Sequence, residues 1–523
     1  MRHSMVFYIF ICKYSFYWLE INKNIAIFYI FYIVVYIFSS IIILLLCTNK
    51  INFGEHNNIC RMKNTSSINT AYLLLMSLTA ALGGFLFGYD WVVIGGAKPF
   101  YEAYFNIGHL PSLQGWVMGS AILGCLIGVA IAGSLADKYG RKPLMMIAAL
   151  IFIAASVGTG FSHNISVLIA YRIFGGIAIG IASTVSPMYI SEISPAAIRG
   201  RFVSINQLTT VLGILSAQIV NWLIAKPIIS SENFLLSWNV QTGWRWMFWV
   251  CAVPALLYFI MVFFIPESPR WMTINNRSEK AFKVFSRLGG KQYAETQVNE
   301  VLSTKGESNK DNTKLKSLFR GKMKKIIVIG IVIAILQQWC GINVIFNYAQ
   351  EIFSSAGYHV SDMLFNIVIT GVVNVIFTFV GMYTVDKLGR KSLMLLGTVG
   401  LTSIYAILGA GYYFKVTGIP MLVLVVLAIA CYAMTLAPIT WVVISELFPN
   451  RVRAKAMAVS TFALWTACFI LTFSFPLLNQ GLGAYGTFWL YGLICLSGFF
   501  FLKKNLPETK GKSLEEIEKE IVG

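Results

Sequence analysis

The sequence predicts an all-α membrane protein of twelve transmembrane helices in two six-helix pseudo-symmetric halves, and three observations predict it. Of its 523 residues, 57% are hydrophobic and only 12% charged, where an ordinary soluble domain carries about 25% charged residues. Apolar runs long enough to cross about 30 Å of hydrocarbon recur near 70–97, 113–135, 143–161, 165–187, 202–226, 244–265, 326–349, 363–385, 392–414, 419–444, 456–478 and 485–502, six on each side of one polar stretch. Three short segments recur in order and at nearly one offset: DKYGRKPLMM (137–146) as DKLGRKSLML (386–395), ISEISPAAIRG (190–200) as ISELFPNRVRA (444–454), and PESPR (266–270) as PETKG (507–511). A duplicated six-helix unit accounts for all three.

The duplication divides the chain into an N-terminal half (62–265), a linker (266–325), a C-terminal half (326–505) and a tail (506–523). In the linker, Ala281, Val284, Phe285 and Leu288, then Val298, Val301 and Leu302, have the spacing of short amphipathic helices broken at Gly289-Gly290. KGESNKDNTK, further on, reads as a loop. Residues 1–61 form an extension rich in Ile, Phe, Tyr, Lys and Asn. Its run 25–47 reads either as an extra helix or, because AT-rich upstream DNA would translate to such a bias, as a mis-assigned start with Met62 the true one. The run is too long for a signal peptide and shows no clear small-residue cleavage site.

A formal charge of +19 invites a nucleic-acid reading, but the basic residues lie between spans and not on a soluble face. Lys138, Arg141 and Lys142 follow span two; Arg199 and Arg201, span four; Lys387, Arg390 and Lys391, span eight; Arg451, Arg453 and Lys455, span ten. The alternate loops carry few. Positive-inside asymmetry therefore puts these loops, the linker and the tail in the cytoplasm, with the protein in the cytoplasmic (inner) membrane. Cys125, Cys251, Cys340, Cys431, Cys468 and Cys495 fall within spans without CxxC or histidine partners, so they read as packing residues and not as a disulfide frame or a metal site. No HExxH, GxSxG or P-loop pattern appears, and His3, His56, His109, His163 and His359 lie in the extension or in loops. An enzyme is the least supported class.

Two parallel repeats place a substrate site near the midplane, between halves that rock against each other. The charged loops suit such rocking. Asp137, Gly140, Arg141 and Lys142 occupy a very short turn that needs the glycine, and its charges can pair with helix ends or with Glu192 on the next hairpin. Duplication supplies Asp386 and Arg390, and the ends of spans four and ten add Glu192/Arg199 and Glu446/Arg453. Pairs on one side of the membrane would hold that side shut and break as it opens.

These motifs, with PMYISEISPAAIRG after span four, PESPRW after span six and QQWCGINVIFNYA in span seven, resemble the sugar porter family of the major facilitator superfamily over about residues 70–515. GGFLFGYD and YRIFGGIAIGIASTVSPMYISE are most similar to its bacterial D-xylose–proton symporters. The resemblance implies a major facilitator fold, a monosaccharide and a proton as the partners besides the lipid bilayer, no nucleic acid, no cofactor beyond the proton gradient, and a monomer.

An aspartate at the centre of a membrane helix costs about 2.5–3.5 kcal/mol, and Asp90 stands inside LTAALGGFLFGYDWVVIGGA. Arg172 is the only arginine within span four, and a buried acid and base in one half relieve each other's desolvation. The resemblance implies that Asp90 is the proton-coupling acid and Arg172 its partner. A carboxylate beside a guanidinium keeps its charge, whereas one parted from it in a dry site favours a proton. A static ion pair is the alternative.

Gln207 lies in span five, Gln337, Gln338 and Asn343 in span seven, Asn374 in span eight and Trp441 in span ten. Amides offer donor and acceptor together to hydroxyls, and an aromatic face suits the C–H surface of a sugar. A lone membrane glutamine more often joins helices, but two adjacent glutamines followed by an asparagine favour a site. Gln338 and Asn343 stand about 140° apart on an ideal helix, so only a break at Gly341 brings them together. The resemblance carries sugar binding onto Gln207, Gln337, Gln338, Asn343 and Trp441, with Phe87 and Asn374 as weaker members. Glycines and prolines suit bending in spans one, four, seven and ten, and gating is expected at Gly341 and Pro438.

Three positions depart from the family pattern. Asn347 stands where the first of two tyrosines is expected, Leu464 where an amide usually precedes Trp465, and Cys251 where some proton-coupled relatives have a glutamate. Losing an amide favours a sugar that lacks a group there, and xylose, without the hydroxymethyl of glucose, fits. The expected function is import of a monosaccharide, xylose first, with a proton by alternating access. A uniporter is the alternative within the class. A non-transporting sugar sensor would carry a long signalling tail, whereas only a short one follows here.

Overall fold

The computed structural model describes residues 68–195, 198–227, 233–308, 323–357, 360–448 and 453–508. The extension 1–61, its 25–47 run, most of KGESNKDNTK and the tail from residue 509 lie outside the described residues. Six long helices come first: α1 (Thr70–Phe105), α2 (Pro111–Tyr139), α3 (Arg141–Gly160), α4 (Ile165–Ile193), α5 (Arg199–Ile224) and α6 (Trp244–Phe264), the last entered through a π-helical turn at Asn239–Gly243. The linker holds α7 (Pro269–Ile274) and α8 (Ser278–Ser308). Then follow α9 (Met323–Trp339), α10 (Ile342–Asn347), α11 (Ala349–Ser355), α12 (Val360–Leu388), α13 (Arg390–Tyr413), α14 (Ile419–Met434), α15 (Leu436–Leu447) and α16 (Arg453–Asn505).

Eleven of these segments are long and apolar enough to cross a membrane. The last of them, Lys455–Asn505, runs to 51 residues, about 75 Å at 1.5 Å per residue, more than twice a bilayer core. It breaks at Gly483, where φ is 68°, and so makes two crossings. Twelve passes result, and the architecture is all-helical among the described residues.

Small residues set the closest helix contacts. On α2, Gly124 and Gly128 face Gly176 and Gly180 on α4, and a Cβ on Gly176 would collide with the carbonyl of Ala121. The two four-residue spacings let the backbones touch, which is how helices associate where lipid removes the hydrophobic drive. On α1, Gly88 meets the carbonyl of Thr210 on α5, and Gly213 on α5 meets that of Phe85.

The first span outruns its expected end at residue 97. Pro99 lacks one donor, yet α1 continues to Phe105, where Asn106 (φ 53°) turns its N–H back to Ala103 and Glu102. Lys98 and Glu102, expected in a loop, are therefore buried helix residues. In the linker, the break falls at Gly289 and Gly290 (φ 83°) as expected. Ala281, Val284, Phe285, Leu288 and Val301 are buried, but Leu302 is exposed. The backbone N–H of Asn69 donates to Leu288 (2.7 Å), tying α8 to the start of α1.

The two six-helix sets touch through rings. Trp116 of α2 meets Phe469 and Phe473 of α16 at 6.0 and 5.6 Å, and Trp222 of α5 meets Phe365 of α12 at 5.6 Å. By chain position these contacts lie toward the loops 106–110 and 225–233, on the face opposite DKYGRK and DKLGRK.

Candidate functional site

Asp90 and Arg172 meet in the interior, 5% and 3% exposed. Nη1 of Arg172 donates to both carboxylate oxygens, at 2.8 and 2.9 Å, and Nη2 to the Asp90 carbonyl at 3.4 Å. The guanidinium also lies 5.7 Å from the centre of the Phe248 ring. Each charge thereby offsets the other's removal from water, a balance that fails if either is deleted. Cys251, the position of the missing glutamate, is fully buried.

Across the molecule the seventh span breaks where expected. α9 stops at Trp339, Gly341 takes φ 82°, a left-handed conformation that suits glycine, and α10 starts at Ile342. The amides are thereby strung together. Gln337 donates to the Tyr432 hydroxyl (2.6 Å), Gln338 to Gln337 Oε1 (2.6 Å), and Asn343 to Gln338 Oε1. Asn343 also reaches the Cys468 sulfur at 3.7 Å. Sequence reasoning missed Tyr432 and Cys468, which look like ordinary packing residues.

The tenth span breaks too, at Thr435 (φ −117°, ψ −87°) between α14 and α15, three residues before Pro438. Proline has no N–H for the carbonyl four residues back and its ring crowds that carbonyl, so the helix opens upstream of the residue named from sequence.

A triangle of rings joins α1, which carries Asp90, to α16, which carries Cys468. Phe87 and Trp91 lie 6.0 Å apart, and each is 5.8 Å from Trp465 of α16. Trp91 adjoins Asp90 in sequence, and Cys468 lies one helical turn beyond Trp465. The weaker candidate Phe87 thus proves to be a contact between the halves. Gln207 is half-buried on α5, Asn374 is buried on α12, and Trp441 on α15 is 37% exposed. Among the described residues, none of these three bonds to the amide chain through its side chain. Asn347 is buried with its carbonyl oxygen unpartnered, and Leu464 is buried.

On the charged face, Arg141 donates to Glu192 (2.8 Å), Asp137 (3.2 Å) and the Ala136 carbonyl (2.9 Å). Arg390 repeats this with Glu446 at 3.1 Å. Arg199 does not join: it is exposed at the start of α5, while Glu192 takes Arg141 and the Ser268 hydroxyl instead. A solvated pair would add little there. The side chains of Asp386 and Arg453 lie outside the described residues.

The same face contains a device that the repeat announced without explaining. Glu267 of PESPR accepts from the backbone N–H of Arg141 (3.0 Å) and Lys142 (3.2 Å), capping α3. Glu508 of PETKG caps α13 through Arg390 (2.9 Å) and Lys391 (3.1 Å). A carboxylate at a helix N-terminus satisfies open donors and complements the helix dipole. Gly140 (φ 100°) leaves room, since a Cβ there would strike the Glu267 carboxylate.

One further charged group escaped sequence reading. Lys98 pairs with Glu102 (2.7 Å) on its own helix and with Glu351 of α11. Among the described residues no cluster of His, Cys, Asp or Glu could hold a metal ion.

Known proteins resemble this chain over most of its length. The family model described as "Sugar (and other) transporter" matches residues 76–521. The arabinose-proton symporter of Bacillus subtilis (strain 168) is 36% identical over 456 residues, 87% of this chain and 96% of that protein. The D-xylose-proton symporter of Escherichia coli (strain K12) is 36% identical over 480 residues, 86% of this chain and 96% of its own length. Among solved structures, the inward open conformation of the xylose transporter XylE from E. coli superposes with a TM-score of 0.75 at 34% identity, covering 86% of this chain and 99% of that one.

Proposed function

The chain belongs to the sugar transporter family, a multi-pass membrane protein whose relatives are transporters and not enzymes, and on that premise we propose that it imports a monosaccharide, xylose first, with a proton by alternating access across the cytoplasmic membrane. The observation that carries the reading is the buried Asp90–Arg172 pair on a helix whose Phe87 and Trp91 rings meet Trp465 of α16, the helix whose Cys468 receives Asn343 of the amide chain. Gln337, Gln338 and Asn343 hold the sugar hydroxyls, with Gln207, Asn374, Trp441 and Phe87 closing around it. A sugar that displaces Gln338 from Asn343 moves α10 and α16, and the rings pass that movement to α1. Asp90 then parts from Arg172 and takes its proton, since a dry carboxylate without its counter-charge favours the neutral form. Leu464 offers no hydrogen bond where relatives offer an amide, which suits a sugar lacking the hydroxymethyl group.

The positive-inside rule sets the charged face in the cytoplasm. The ring contacts between the halves then close the outside, while Arg141–Glu192 and Arg390–Glu446 each join helices within one half at the charged face and so keep that half a single body as it rocks.

The test is the external pH of lightly buffered, energy-depleted cells producing the protein as xylose, arabinose, glucose and galactose are added in turn. Alkalinisation with one sugar is the expected result, and Asp90→Asn should abolish accumulation against a gradient while leaving exchange intact. Uptake without a pH change would make Asp90–Arg172 the static pair of a uniporter.

A further inference from the structure

Beside the Asp90–Arg172 pair, α1 carries a second buried charge. Lys98 is 1% exposed, two helical turns beyond Asp90 and toward the face opposite the charged loops. It holds two carboxylates of different origin: Glu102, one turn along α1, and Glu351 on α11 of the other half. Its ammonium also lies 5.4 Å from the centre of the Tyr348 ring, and Tyr348 donates to the Thr472 carbonyl (2.7 Å), so α11 joins where α10 and α16 are already fastened. Lys98–Glu351 is an ion pair that joins the two halves. The backbones are equally close, for a Cβ on Gly95 would press on the carbonyl of Phe346.

We propose that Lys98 is the latch of this face: with the face closed it bridges Glu102 and Glu351, and on opening it keeps Glu102 and releases Glu351. The arrangement rests on the alternating-access reading and goes beyond it, since that reading assigns Lys98 no role. The physical reason lies in the pair of partners. A lysine stripped of its only counter-ion inside a membrane protein faces a large desolvation penalty, so a latch with one partner would be too costly to open. Glu102 moves with Lys98 on the same helix and keeps it paired throughout. Glu351, whose side chain is 23% exposed against 2% for Lys98, is the partner nearer water and the one that leaves. Lys98 therefore acts as a positioning residue, setting how often the outer face opens without touching sugar or the coupling proton.

The experiment uses the full chain in lipid nanodiscs, with spectroscopic labels introduced as unnatural amino acids at Gly108 and Val416, exposed loop positions on that face in the two halves. The wild type should show a short and a long label distance. Glu351→Ala should shift the ratio toward the long distance by about tenfold, the equivalent of ~1.4 kcal/mol. Lys98→Met should do the same, and the double variant should go no further than either single one. Glu102→Gln should keep the short distance, because the bond across the halves remains. An Glu351→Ala distribution equal to the wild type's, or a double variant that sums the single effects, overturns the latch while leaving alternating access in place. A wild type with one distance under all conditions overturns both.

Discussion

The first and seventh spans stand at matching places in the duplicated unit, as do the fourth and tenth, yet the earlier member of each pair runs on and the later one breaks. α1 and α4 run unbroken for 36 and 29 residues, although each contains a glycine pair. The seventh span breaks at Gly341 and the tenth at Thr435. In α1 and α4 several glycines meet backbone, Gly88 the carbonyl of Thr210 and Gly176 that of Ala121, and others meet side chains, as Gly83 does Ser186 and Gly96 does Asn221. In the seventh span Gly341 adopts φ 82° and turns the chain. Glycine in a membrane helix serves either contact or bending, and only its neighbours tell which. The chemistry divides along the same line, with the ion pair held on rigid helices and the amides on broken ones.

The sharpest way to break this comparison is to fill both kinds of glycine. Gly176→Val should prevent stable folding, a loss above ~4 kcal/mol typical of overpacked, irreparable sites, seen as loss of a monodisperse peak in detergent. Gly341→Ala should still fold, at a cost of about 1–3 kcal/mol for the left-handed residue and for the buried Tyr491 ring its Cβ would press, but bind sugar poorly. Normal sugar affinity in Gly341→Ala would mean that the bend does not present the amides. Next in size, Arg172→Met should destabilise by roughly 3–5 kcal/mol by stranding Asp90, and adding Asp90→Asn should restore most of it in a thermal unfolding assay. The smallest effect should come from Gln338→Ala, with sugar affinity weakened about tenfold through lost hydrogen bonds worth ~1–1.5 kcal/mol and the melting temperature unchanged. A melting temperature that fell as far as in Arg172→Met would assign Gln338 to packing instead.

Most of the fold was legible because apolar length and the repeated loops are written along the chain. The twelfth crossing was predicted, although α16 passes through both of its last crossings with only Gly483 to divide them. Asp90 with Arg172, and Gln338 with Asn343, could be paired because each is conspicuous in apolar surroundings. Lys98 was hidden for the opposite reason: the apolar run ends at residue 97, so the charged residue that follows it was left to the loop. Arg199 was overvalued because its motif is duplicated, although sequence proximity to Glu192 does not decide which arginine reaches it. Tyr432 was lost among 24 tyrosines, and Trp465, named only as the neighbour of Leu464, was given no contact, since nothing local distinguishes a ring that touches an amide or another half from one that faces lipid.

The carboxylate caps on α3 and α13 have a consequence for how the protein is made. Glu267 lies 126 residues after the helix start it completes, and Glu508 lies 118 after its own. Neither helix start can be finished until the ribosome has delivered the remaining crossings of that half. Each half therefore carries its own completion mark at its C-terminal end, and a chain released early in synthesis would leave those helix starts to water alone.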